Sequence, residues 1–525
     1  METQEMKTIV IDGENLSIED VVEVARRERP VALWDNEKFL ENISRGRGFY
    51  LKSGVYAYGD KMGVGANVGK IIPEKKRIAF QKRLIDSLSC GVGEELPEDI
   101  VRAAMLLRVN SLVKDGCSAI GLDKIERIIY FLNNGITPVM HKFGSVGASG
   151  DLVPLSSVAA AIQGKGKVRY RGRLLKTASV YKKLGIKPLT LFEKEGLSLV
   201  NGTSAMTAMA ALAVDDSEYY LTLAMKAEAM AAEALGGMTD PFDAFVHTMK
   251  NHEGQKNAAY VLRILLEGST LTKNIEDLRA EVKAQAQGAS SVVESTIELQ
   301  DPYCIRCSPQ LFGPVFEILE EVQQWITNEI NSANDNPIVN LSEQKVHHTG
   351  NFSGFYIVRA MDALRLAMFD LGDLMNALKE RLLNEKYNRG LGASLAGEEP
   401  GFNSGFKGVG LCLSDIFGRI CFLASPYSVH RRTTESYNQD IVSFGFGSAE
   451  LAMEMNERLR DLLAGVLMIA AQGVDIRSGK DPSKLAAATR AVHAKIRSEV
   501  PFLGKDRPLD EDLGKIISMV RNKIL

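Results

Sequence analysis

Apolar residues at heptad spacing constrain the fold of this chain more than any other feature. Between residues 357 and 382 they recur at alternating steps of four and three, over about seven helical turns. The three seams are Ile357, Met361, Leu364, Met368, Leu371, Met375, Leu378 and Leu382; Val315, Ile318, Val322 and Ile326; and Leu451, Met455, Leu459, Leu462, Val466 and Ile469. Each seam needs partner helices to cover it, so the sequence predicts a bundle of long antiparallel helices.

The first two hundred residues have a different character, because glycine and proline interrupt them often and predict loops between short elements. Within them, "GKVRYRGRLLKTA" predicts a small hairpin. From residue 206, the alanine- and methionine-rich "MTAMAALAVDDSEYYLTLAMKAEAMAAEAL" predicts a buried helix. We expect a mainly α protein with a loop-rich N-terminal domain (1–205), a central long-helix bundle (206–475) and a C-terminal helical segment (476–525).

Composition and charge exclude several classes of protein. The chain has 525 residues, 45% hydrophobic and 25% charged, as in ordinary globular proteins. A formal net charge of −3 argues against a general nucleic-acid-binding protein, which normally carries a basic surface. No apolar run approaches the ~18 residues of a membrane span, and "METQEMKTIVIDGENLS" does not resemble a secretory signal. We therefore expect a cytoplasmic protein without nucleic-acid or membrane partners.

The six cysteines include one close pair, Cys304 and Cys307, in "PYCIRCSPQ". A zinc site would need two further ligands at comparable spacing, and the other four cysteines form no second pair. The sequence therefore predicts no metal site and thiols without a chemical role.

The stretch "GSVGASGDLVPLS" at 144–156 is unusually dense in small residues, which let a backbone turn sharply or approach another chain segment closely. It lacks the GK[ST] ending of a phosphate-binding loop and the GxSxG pattern of a nucleophilic serine. "GVGANVG" at 63–69 has one residue too many for a dinucleotide fingerprint. One interpretation is a tight turn that caps the next helix through Ser149 or Asp151.

The same stretch resembles the signature of the ammonia-lyase and 2,3-aminomutase family, whose members act on histidine, phenylalanine and tyrosine. The resemblance implies that Ala148, Ser149 and Gly150 cyclise autocatalytically. The glycine nitrogen attacks the alanine carbonyl, and loss of water turns the serine into a methylidene group. The product would be 4-methylidene-imidazol-5-one (MIO), an electrophile that requires no external cofactor.

Further motifs of this family follow in the family's order along almost the whole chain. "YGDKMGVG" is similar to the loop of the catalytic tyrosine, and the spacing Y-G-x-x-x-G-x-G selects Tyr58 rather than Tyr56. The other motifs are "GLSLVNGTSAM" with Asn201, "YCIRCSPQ" with Tyr303, Arg306 and Gln310, "NSANDNP" with Asn331, "GNF" with Phe352, and "YNQDIVSFG" with Asn438 and Gln439.

The resemblance implies roles that agree with the chemistry of deamination. Tyr58 would remove the β-proton, provided that its surroundings lower its pKa from the ordinary value near 10. Arg306 would bind the substrate carboxylate as a bidentate fork, and Tyr303 would assist proton or amine transfer. Asn201, Gln310 and Asn331 would hold the ring system and the amine, and Phe352 would pack on the MIO group. Taken singly, Arg306 could be a solvated helix end, and Tyr58 and Phe352 ordinary packed aromatics.

Substrate choice in this family is associated with the pair that precedes "GVG", here Ser87 and Leu88. Ser87 is small and offers a hydroxyl, so it leaves room for a polar ring substituent. Asn438 and Gln439 resemble the phenylalanine and tyrosine branches, because histidine enzymes usually have a glutamate at the second position. The tyrosine loop departs from the family in its charged pair Asp60-Lys61 and in Met62, where threonine is usual.

The resemblance implies a fumarase/aspartase-like ammonia-lyase fold and a homotetramer whose active sites are each assembled from three subunits. We expect a MIO-dependent 2,3-aminomutase for an aromatic amino acid, with tyrosine or phenylalanine favoured. "MTDPFD" and "QDIVSFGF", which resemble bacterial aminomutases, favour that reaction. An ammonia-lyase for tyrosine, phenylalanine or histidine, and an inactive scaffold of the same fold, are the alternatives.

Overall fold

The structure, a computed structural model, describes residues 8–525. The seven residues before them, part of the stretch in which we expect no secretory signal, lie outside the described residues. Within residues 8–525, no helix is both long and apolar enough to cross a membrane. The helices are α1 (Ile18–Arg26), α2 (Glu37–Ser53), α3 (Arg77–Leu88), α4 (Glu98–Val113), α5 (Leu122–Asn133), α6 (Leu152–Ile162), α7 (Thr177–Leu184), α8 (Glu195–Val200), α9 (Ser204–Leu235), α10 (Ala244–Thr248), α11 (Glu253–Leu266), α12 (Ile275–Gln285), α13 (Tyr303–Arg306), α14 (Ser308–Ile330), α15 (Phe355–Leu383), α16 (Lys407–Leu423), α17 (Gly445–Ser478), α18 (Ala487–Glu499) and α19 (Asp510–Arg521).

The strands are short and form small separate sheets. A parallel pair joins β1 to β2, an antiparallel pair joins β3 to β5, β4, β6 and β7 form a three-stranded antiparallel sheet, and β8 pairs antiparallel with β9. The hairpin expected in "GKVRYRGRLLKTA" is confirmed as β6 and β7, which pair Tyr170 with Arg173 at the turn. The strands are β1 (Ile9–Ile11), β2 (Val31–Leu33), β3 (Val92–Glu95), β4 (Ile136–Pro138), β5 (His141–Phe143), β6 (Lys167–Tyr170), β7 (Arg173–Lys176), β8 (Ile338–Asn340) and β9 (Lys345–His347).

The described chain divides into two compact units built from non-consecutive segments. Unit 1 contains residues 8–215, 321–363 and 426–453, and unit 2 contains residues 216–320, 364–425 and 454–525. The helices α9, α14, α15 and α17 contribute residues to both units. The division into residues 1–205, 206–475 and 476–525 expected from the sequence stays a prediction.

The helix bundle expected from the heptad seams is confirmed. All eight seam residues of α15 are fully buried, and so are those of α17 from Met455 to Ile469. In unit 2, Gly372 of α15 lies near Leu462 of α17, and Leu382 lies near Gly473, so the two helices run in the same direction. Chain direction alternates between consecutive helices, because Gly372 also lies near Ile420 of the intervening α16, whose Gly410 faces Leu383.

Unit 1 positions the glycine- and serine-rich stretch between buried helices. Every residue of α4 from Ile100 to Val113 is buried, because α1, α5 and neighbouring loops cover all sides of this helix. The helix α6 begins directly after Asp151 and packs against α3 and α8. The helix α9 begins at Ser204, three residues after Asn201, so two helix N-termini lie beside the stretch.

Candidate active site

Glycines at the Ala-Ser-Gly turn allow contacts that a side chain would block. Gly147 and Gly150 have φ angles of +65° and +66°, a left-handed conformation that favours glycine. A Cβ at Gly150 would overlap the carbonyl oxygen of Gly202, and one at Gly147 would overlap the hydroxyl of Ser443. The density of small residues in "GSVGASGD" therefore serves close backbone approach on two sides of the turn.

Two amide side chains from different segments of unit 1 hold Ser149. The Asn201 Nδ2 group donates a 2.9 Å hydrogen bond to the Ser149 carbonyl oxygen. The Gln439 Nε2 group donates to Ser149 Oγ at 3.2 Å, while its own Oε1 accepts from Thr434 Oγ1 at 2.9 Å. Asn201 is buried, and its Oδ1 has no hydrogen-bond partner. The structure thus brings three of the residues singled out in the sequence into direct contact.

Asp151 stands at the N-cap position of α6, one of the two positions expected for a cap. Its carboxylate does not cap α6, however, but accepts hydrogen bonds of 3.0 and 2.8 Å from the backbone N–H groups of Ala205 and Met206 in the first turn of α9. It also accepts from Ser145 Oγ at 2.8 Å. Burial raises the pKa of Asp151 to about 7, against the opposing effect of these donors. Asp151 thereby ties the turn to the helix that follows Asn201.

A buried hydrogen-bond network supports the backbone of Asn201 and contains residues that the sequence analysis did not single out. Arg108 is fully buried and donates through Nη1 to the Asn201 carbonyl oxygen at 3.1 Å and to Asn334 Oδ1 at 3.2 Å. Asn334 Nδ2 in turn donates to Thr203 Oγ1 at 2.8 Å. Asn334 lies in "NSANDNP", the motif from which we selected Asn331.

The Asn331 side chain is fully engaged away from the Ala-Ser-Gly turn. Its Oδ1 accepts from the Leu16 N–H group and from Asn110 Nδ2, and its Nδ2 donates to the carbonyl oxygens of Leu16 and Thr327. A carboxamide has two donors and two acceptor positions, and all four are occupied. Asn331 therefore has no hydrogen-bonding group free for the substrate contact expected from the sequence.

Hydrogen bonds hold Tyr58 through both its backbone N–H group and its phenol oxygen. The Tyr58 N–H group donates to His348 Nε2 at 3.2 Å, and the phenol oxygen accepts from the Gly65 N–H group at 2.7 Å. Burial raises the pKa of the Tyr58 phenol and the nearby carboxylate of Glu435 raises it further, although the Gly65 donor opposes them. The lowered pKa expected for a basic tyrosine is therefore not produced by the residues that surround Tyr58 in this unit.

Glu435 is a further residue that the sequence analysis did not single out. Its carboxylate lies so close to the Gly65 backbone that a Cβ at Gly65 would overlap it. Glu435, Ser436 and Tyr437 have φ angles of +50°, +52° and +64°, a run of left-handed non-glycine residues that stores backbone strain of the kind found at functional sites. The exposed Asn438, whose N–H group donates to the Glu435 carbonyl at 3.0 Å, follows this run directly.

The expected substrate selectors lie at the C-terminal end of α3. The Ser87 hydroxyl donates to the Leu84 carbonyl oxygen at 2.8 Å, so its donor is used within its own helix and its acceptor positions remain. Leu88 is half-buried, and its carbonyl oxygen accepts from Ser156 Oγ at 3.1 Å. Phe352 is half-buried, in the turn that precedes α15.

The remaining predicted residues, Tyr303, Arg306 and Gln310, belong to unit 2. The Arg306 guanidinium lies 4.5 Å from the centre of the Tyr303 ring, a cation–π contact. Arg306 Nε and Gln310 Oε1 are both buried without a hydrogen-bond partner, and Tyr303 is 72% exposed. A buried polar atom without a hydrogen-bond partner is energetically costly, so these two atoms differ from those of an ordinary solvated helix end.

The cysteines form no disulfide in the described part of the chain. All six are free thiols, and residues 8–525 contain no group of three or more side chains arranged to hold a metal ion. Burial raises the pKa of Cys304 to about 12, so this thiol stays protonated.

A long-helix fold with a tightly held Ala-Ser-Gly turn defines a class of enzymes, the ammonia-lyases and 2,3-aminomutases. The chain belongs to the aromatic amino acid lyase family, whose model matches residues 16–498. It is 35% identical to the tyrosine 2,3-aminomutase of Chondromyces crocatus, covering 95% of this chain and 94% of that protein. It is 34% identical to the histidine ammonia-lyase of Caldanaerobacter subterraneus subsp. tengcongensis, covering 98% and 97%.

The comparison with Streptomyces globisporus concerns both sequence and structure. The MIO-dependent tyrosine 2,3-aminomutase of that organism is 35% identical, over 97% of this chain and 94% of the relative. The crystal structure of tyrosine aminomutase from Streptomyces globisporus superposes with a TM-score of 0.94 at 34% identity, covering 99% and 98% of the two chains. The chain is thus an enzyme of the aminomutase and ammonia-lyase type, and its family includes MIO-dependent members.

Proposed function

We propose that the protein is a MIO-dependent 2,3-aminomutase that converts an aromatic L-α-amino acid, tyrosine or phenylalanine, into its β-amino acid. The observation that carries this proposal is the placement of Asn201 and Gln439 on Ser149, within a turn where no residue larger than glycine fits at position 150. The relatives named as tyrosine 2,3-aminomutases support the same reaction.

The residues present fit a ring formed from the triplet. Attack of the Gly150 nitrogen on the Ala148 carbonyl carbon releases the alanine oxygen as water, and elimination of the Ser149 hydroxyl releases a second water. Neither step removes the Ser149 carbonyl oxygen, so the donor of Asn201 keeps its acceptor. The left-handed backbone at Gly150 and the close Gly202 backbone favour the sharp turn that ring closure needs.

The MIO group, once formed, would supply an electrophile for the substrate amine, which makes nitrogen easier to expel. Tyr58 would take up the β-proton, and the Gly65 N–H group would stabilise the resulting phenolate. Arg306 would bind the carboxylate through the donors it presents beside Tyr303, which would assist amine transfer, and Gln310 would orient the amine. Phe352 would pack on the MIO group.

The aromatic end of the substrate would contact Ser87 and Leu88, with Asn438 and Gln439 completing the pocket. Acceptor positions remain on the Ser87 hydroxyl and suit a substrate hydroxyl, which favours tyrosine over phenylalanine. Tyr303 and Tyr437 expose 72% and 82% of their surfaces, as expected if other copies of the chain cover them. The working form would be a cytoplasmic homotetramer whose active sites combine residues of three subunits.

An ammonia-lyase is the second candidate, supported by the histidine ammonia-lyase relative at 34% identity. The two reactions share the elimination step and differ in whether nitrogen is added back at the β-carbon. Incubation of the pure enzyme with L-tyrosine, L-phenylalanine and L-histidine in parallel separates them. Early β-amino acid with little alkenoate supports the mutase and identifies its substrate, whereas alkenoate with stoichiometric ammonia makes the protein a lyase.

The Ser149→Ala variant is the matched control for the electrophile. We expect it to lose activity on all three amino acids, to keep the oligomeric state of the wild type, and to have the mass of the uncyclised chain. The wild-type chain should be lighter than its encoded mass by two waters. Turnover by the Ser149→Ala variant would exclude the proposed electrophile, and an inactive wild type of unshifted mass would leave the inactive scaffold as the better interpretation.

A further inference from the structure

A buried carboxylate lies two residues after Tyr58. Asp60 is 1% exposed, and its Oδ2 accepts a 3.0 Å hydrogen bond from the hydroxyl of Tyr50, while its Oδ1 is buried without a partner. Burial of an ionised carboxylate is expensive unless the group is well paired. The sequence already set Asp60 apart, because the charged pair Asp60-Lys61 is unusual in the tyrosine loop. Simple packing does not account for a carboxylate at this place.

Tyr50 provides a rigid anchor for this carboxylate. It lies on α2, is 3% exposed, and packs in a small buried cluster with Ala57, Ala119 and Val339. A hydrogen bond from such a residue restrains its partner, because Tyr50 is buried and packed on a helix. Asp60 therefore connects the tyrosine loop to the interior of unit 1.

Motion of Asp60 is coupled to Tyr58 by the tight turn that contains both residues. The N–H groups of Asp60 and Met62 both donate to the Ala57 carbonyl oxygen, at 3.4 and 3.1 Å, and the Gly59 N–H group donates to the Met62 carbonyl oxygen at 3.1 Å. From α3, Gln81 Nε2 donates to the Gly59 carbonyl oxygen at 2.8 Å. A displacement of the Asp60 side chain would therefore shift the backbone that carries the Tyr58 phenol.

The charges around the pair are mixed. Burial is the largest effect and raises the pKa of the Asp60 carboxyl, whereas the Tyr50 hydroxyl, Arg77 at the start of α3 and Lys61 of the loop lower it. Glu193 raises it further. The groups that face the Tyr50 hydroxyl, besides Asp60, are Arg47 of α2 and Asp335. The hydrogen bond from Tyr50 thus stabilises the ionised form of Asp60, whereas burial of Asp60 disfavours that form.

We propose that Asp60 is a positioning residue for Tyr58, which holds the tyrosine loop on α2 through the hydrogen bond from Tyr50 and so fixes the location of the phenol. The inference rests on the proposed role of Tyr58 as the base. Small displacements of a proton acceptor have large effects on rate, since proton transfer requires hydrogen-bond distance to the substrate. The Asp60 contact should therefore affect turnover more than substrate binding.

The test compares Asp60→Ala, Asp60→Asn and Tyr50→Phe in the full-length enzyme, with Tyr56→Phe as the matched control on an exposed neighbouring tyrosine. We expect Asp60→Ala and Tyr50→Phe to lower kcat by about ten-fold or more and to change KM by less than about three-fold. Asp60→Asn keeps an oxygen acceptor for Tyr50 and should retain kcat within about three-fold. The double variant Asp60→Ala/Tyr50→Phe should be no slower than Asp60→Ala, because both changes remove one contact.

Intact mass and melting temperature of each variant separate positioning from general destabilisation. The proposal requires that Asp60→Ala and Tyr50→Phe keep the loss of two waters and lose turnover all the same. Wild-type kcat in Asp60→Ala, or an Asp60→Asn variant as slow as Asp60→Ala, would overturn it. The proposal would also be overturned if Tyr50→Phe, the milder of the changes, lowered both the fraction of chains with a formed ring and the yield of folded protein. Full activity of Tyr58→Phe would instead refute the proposed base, a distinguishable result.

Discussion

The side-chain amide of Asn201 donates a 2.9 Å hydrogen bond to the carbonyl oxygen of Ser149, and this contact joins chain segments 52 residues apart. Asn201 is itself fixed from below, because the buried Arg108 donates to its backbone carbonyl at 3.1 Å. A donor held in this way is preorganised for any negative charge that develops on the Ser149 oxygen. We therefore expect catalysis at this turn to depend on Asn201.

Replacement of Asn201 by alanine should remove a preorganised donor from the site. Loss of one such donor typically lowers kcat by about 10²–10³-fold, and we expect a change in that range for the proposed reaction. Steady-state kinetics on the preferred substrate measure it, with Asn134→Ala, an exposed helix-end asparagine, as the control. A kcat within two-fold of wild type for Asn201→Ala would show that the contact is structural only.

Gly150→Ala should prevent formation of the MIO ring. The new Cβ would overlap the Gly202 carbonyl and would also strain the left-handed backbone, so the triplet could not hold its turn. The expected result is an intact mass equal to the encoded chain, without the loss of two waters.

The control for that experiment is Gly172→Ala, in the turn between β6 and β7. Gly172 has a similar φ of +70°, but no atom lies within 4 Å of the position that a Cβ would take, so the substitution brings the conformational strain of about 1–2 kcal/mol without the clash. It should keep the cyclised mass. If both variants lost the ring equally, the cause of the loss would be left-handed strain rather than the close Gly202 backbone.

Glu435→Gln should shift the pH dependence of catalysis. Glu435 raises the pKa of the Tyr58 phenol, so its neutralisation lowers that pKa. Because the proposed base acts in its deprotonated form, the rising limb of kcat/KM against pH should move to lower pH. The shift is measured by comparing the pH profile of kcat/KM for Glu435→Gln with that of the exposed control Glu37→Gln. If the rising limb is unchanged in both variants, an electrostatic influence of Glu435 on the phenol is excluded.

Asp151→Asn should change how stability depends on pH. Burial raises the pKa of Asp151 to about 7, above the 3.8 of an exposed aspartate, so the folded state holds a proton that the unfolded chain releases between these values. Its contribution to the free energy of unfolding is therefore fully present below about pH 4 and is lost as the pH rises toward 7.

Thermal unfolding at pH 5.5 and pH 8 tests this. The fall in melting temperature between the two pH values should be smaller in Asp151→Asn than in the wild type, because the asparagine does not titrate. Other buried carboxyls with raised pKa values that do not interact with Asp151, such as Glu228 and Glu233, contribute equally to both proteins and cancel in the comparison. An equal fall in melting temperature in the two proteins would mean that Asp151 does not titrate in this range.

Local patterns predicted the long helices and the hairpin, and the family motifs supplied the candidate site residues. The heptad spacing of α15 and α17 requires burial on one side of each helix, and the Gly-rich turn between β6 and β7 needs only neighbouring residues. The motif order identified Ser149, Asn201 and Gln439, which the structure joins by hydrogen bonds. Each motif supplied its own residue types and spacing, whereas the contacts between motifs came from the structure.

Other parts of the site depend on contacts between segments far apart in the chain. Asn331 and Asn334 are both asparagines of one short motif, but Asn331 bonds the Leu16 backbone whereas Asn334 bonds Arg108, the residue that donates to Asn201. Glu435 acts on Tyr58 only because a strained run brings it against Gly65. No periodicity or spacing encodes these relations.

The sequence by itself determined the long buried helices, the family and the triplet at 148–150, because these follow from residue type and local spacing. The tertiary fold sets the cap of α9 by Asp151, the bond from Asn331 to the Leu16 backbone, and the attachment of the Tyr58 loop to α2 through Asp60. The physical reason is that a hydrogen-bonding group takes whichever partner the fold brings within about 3 Å, and that partner can lie hundreds of residues away in the chain.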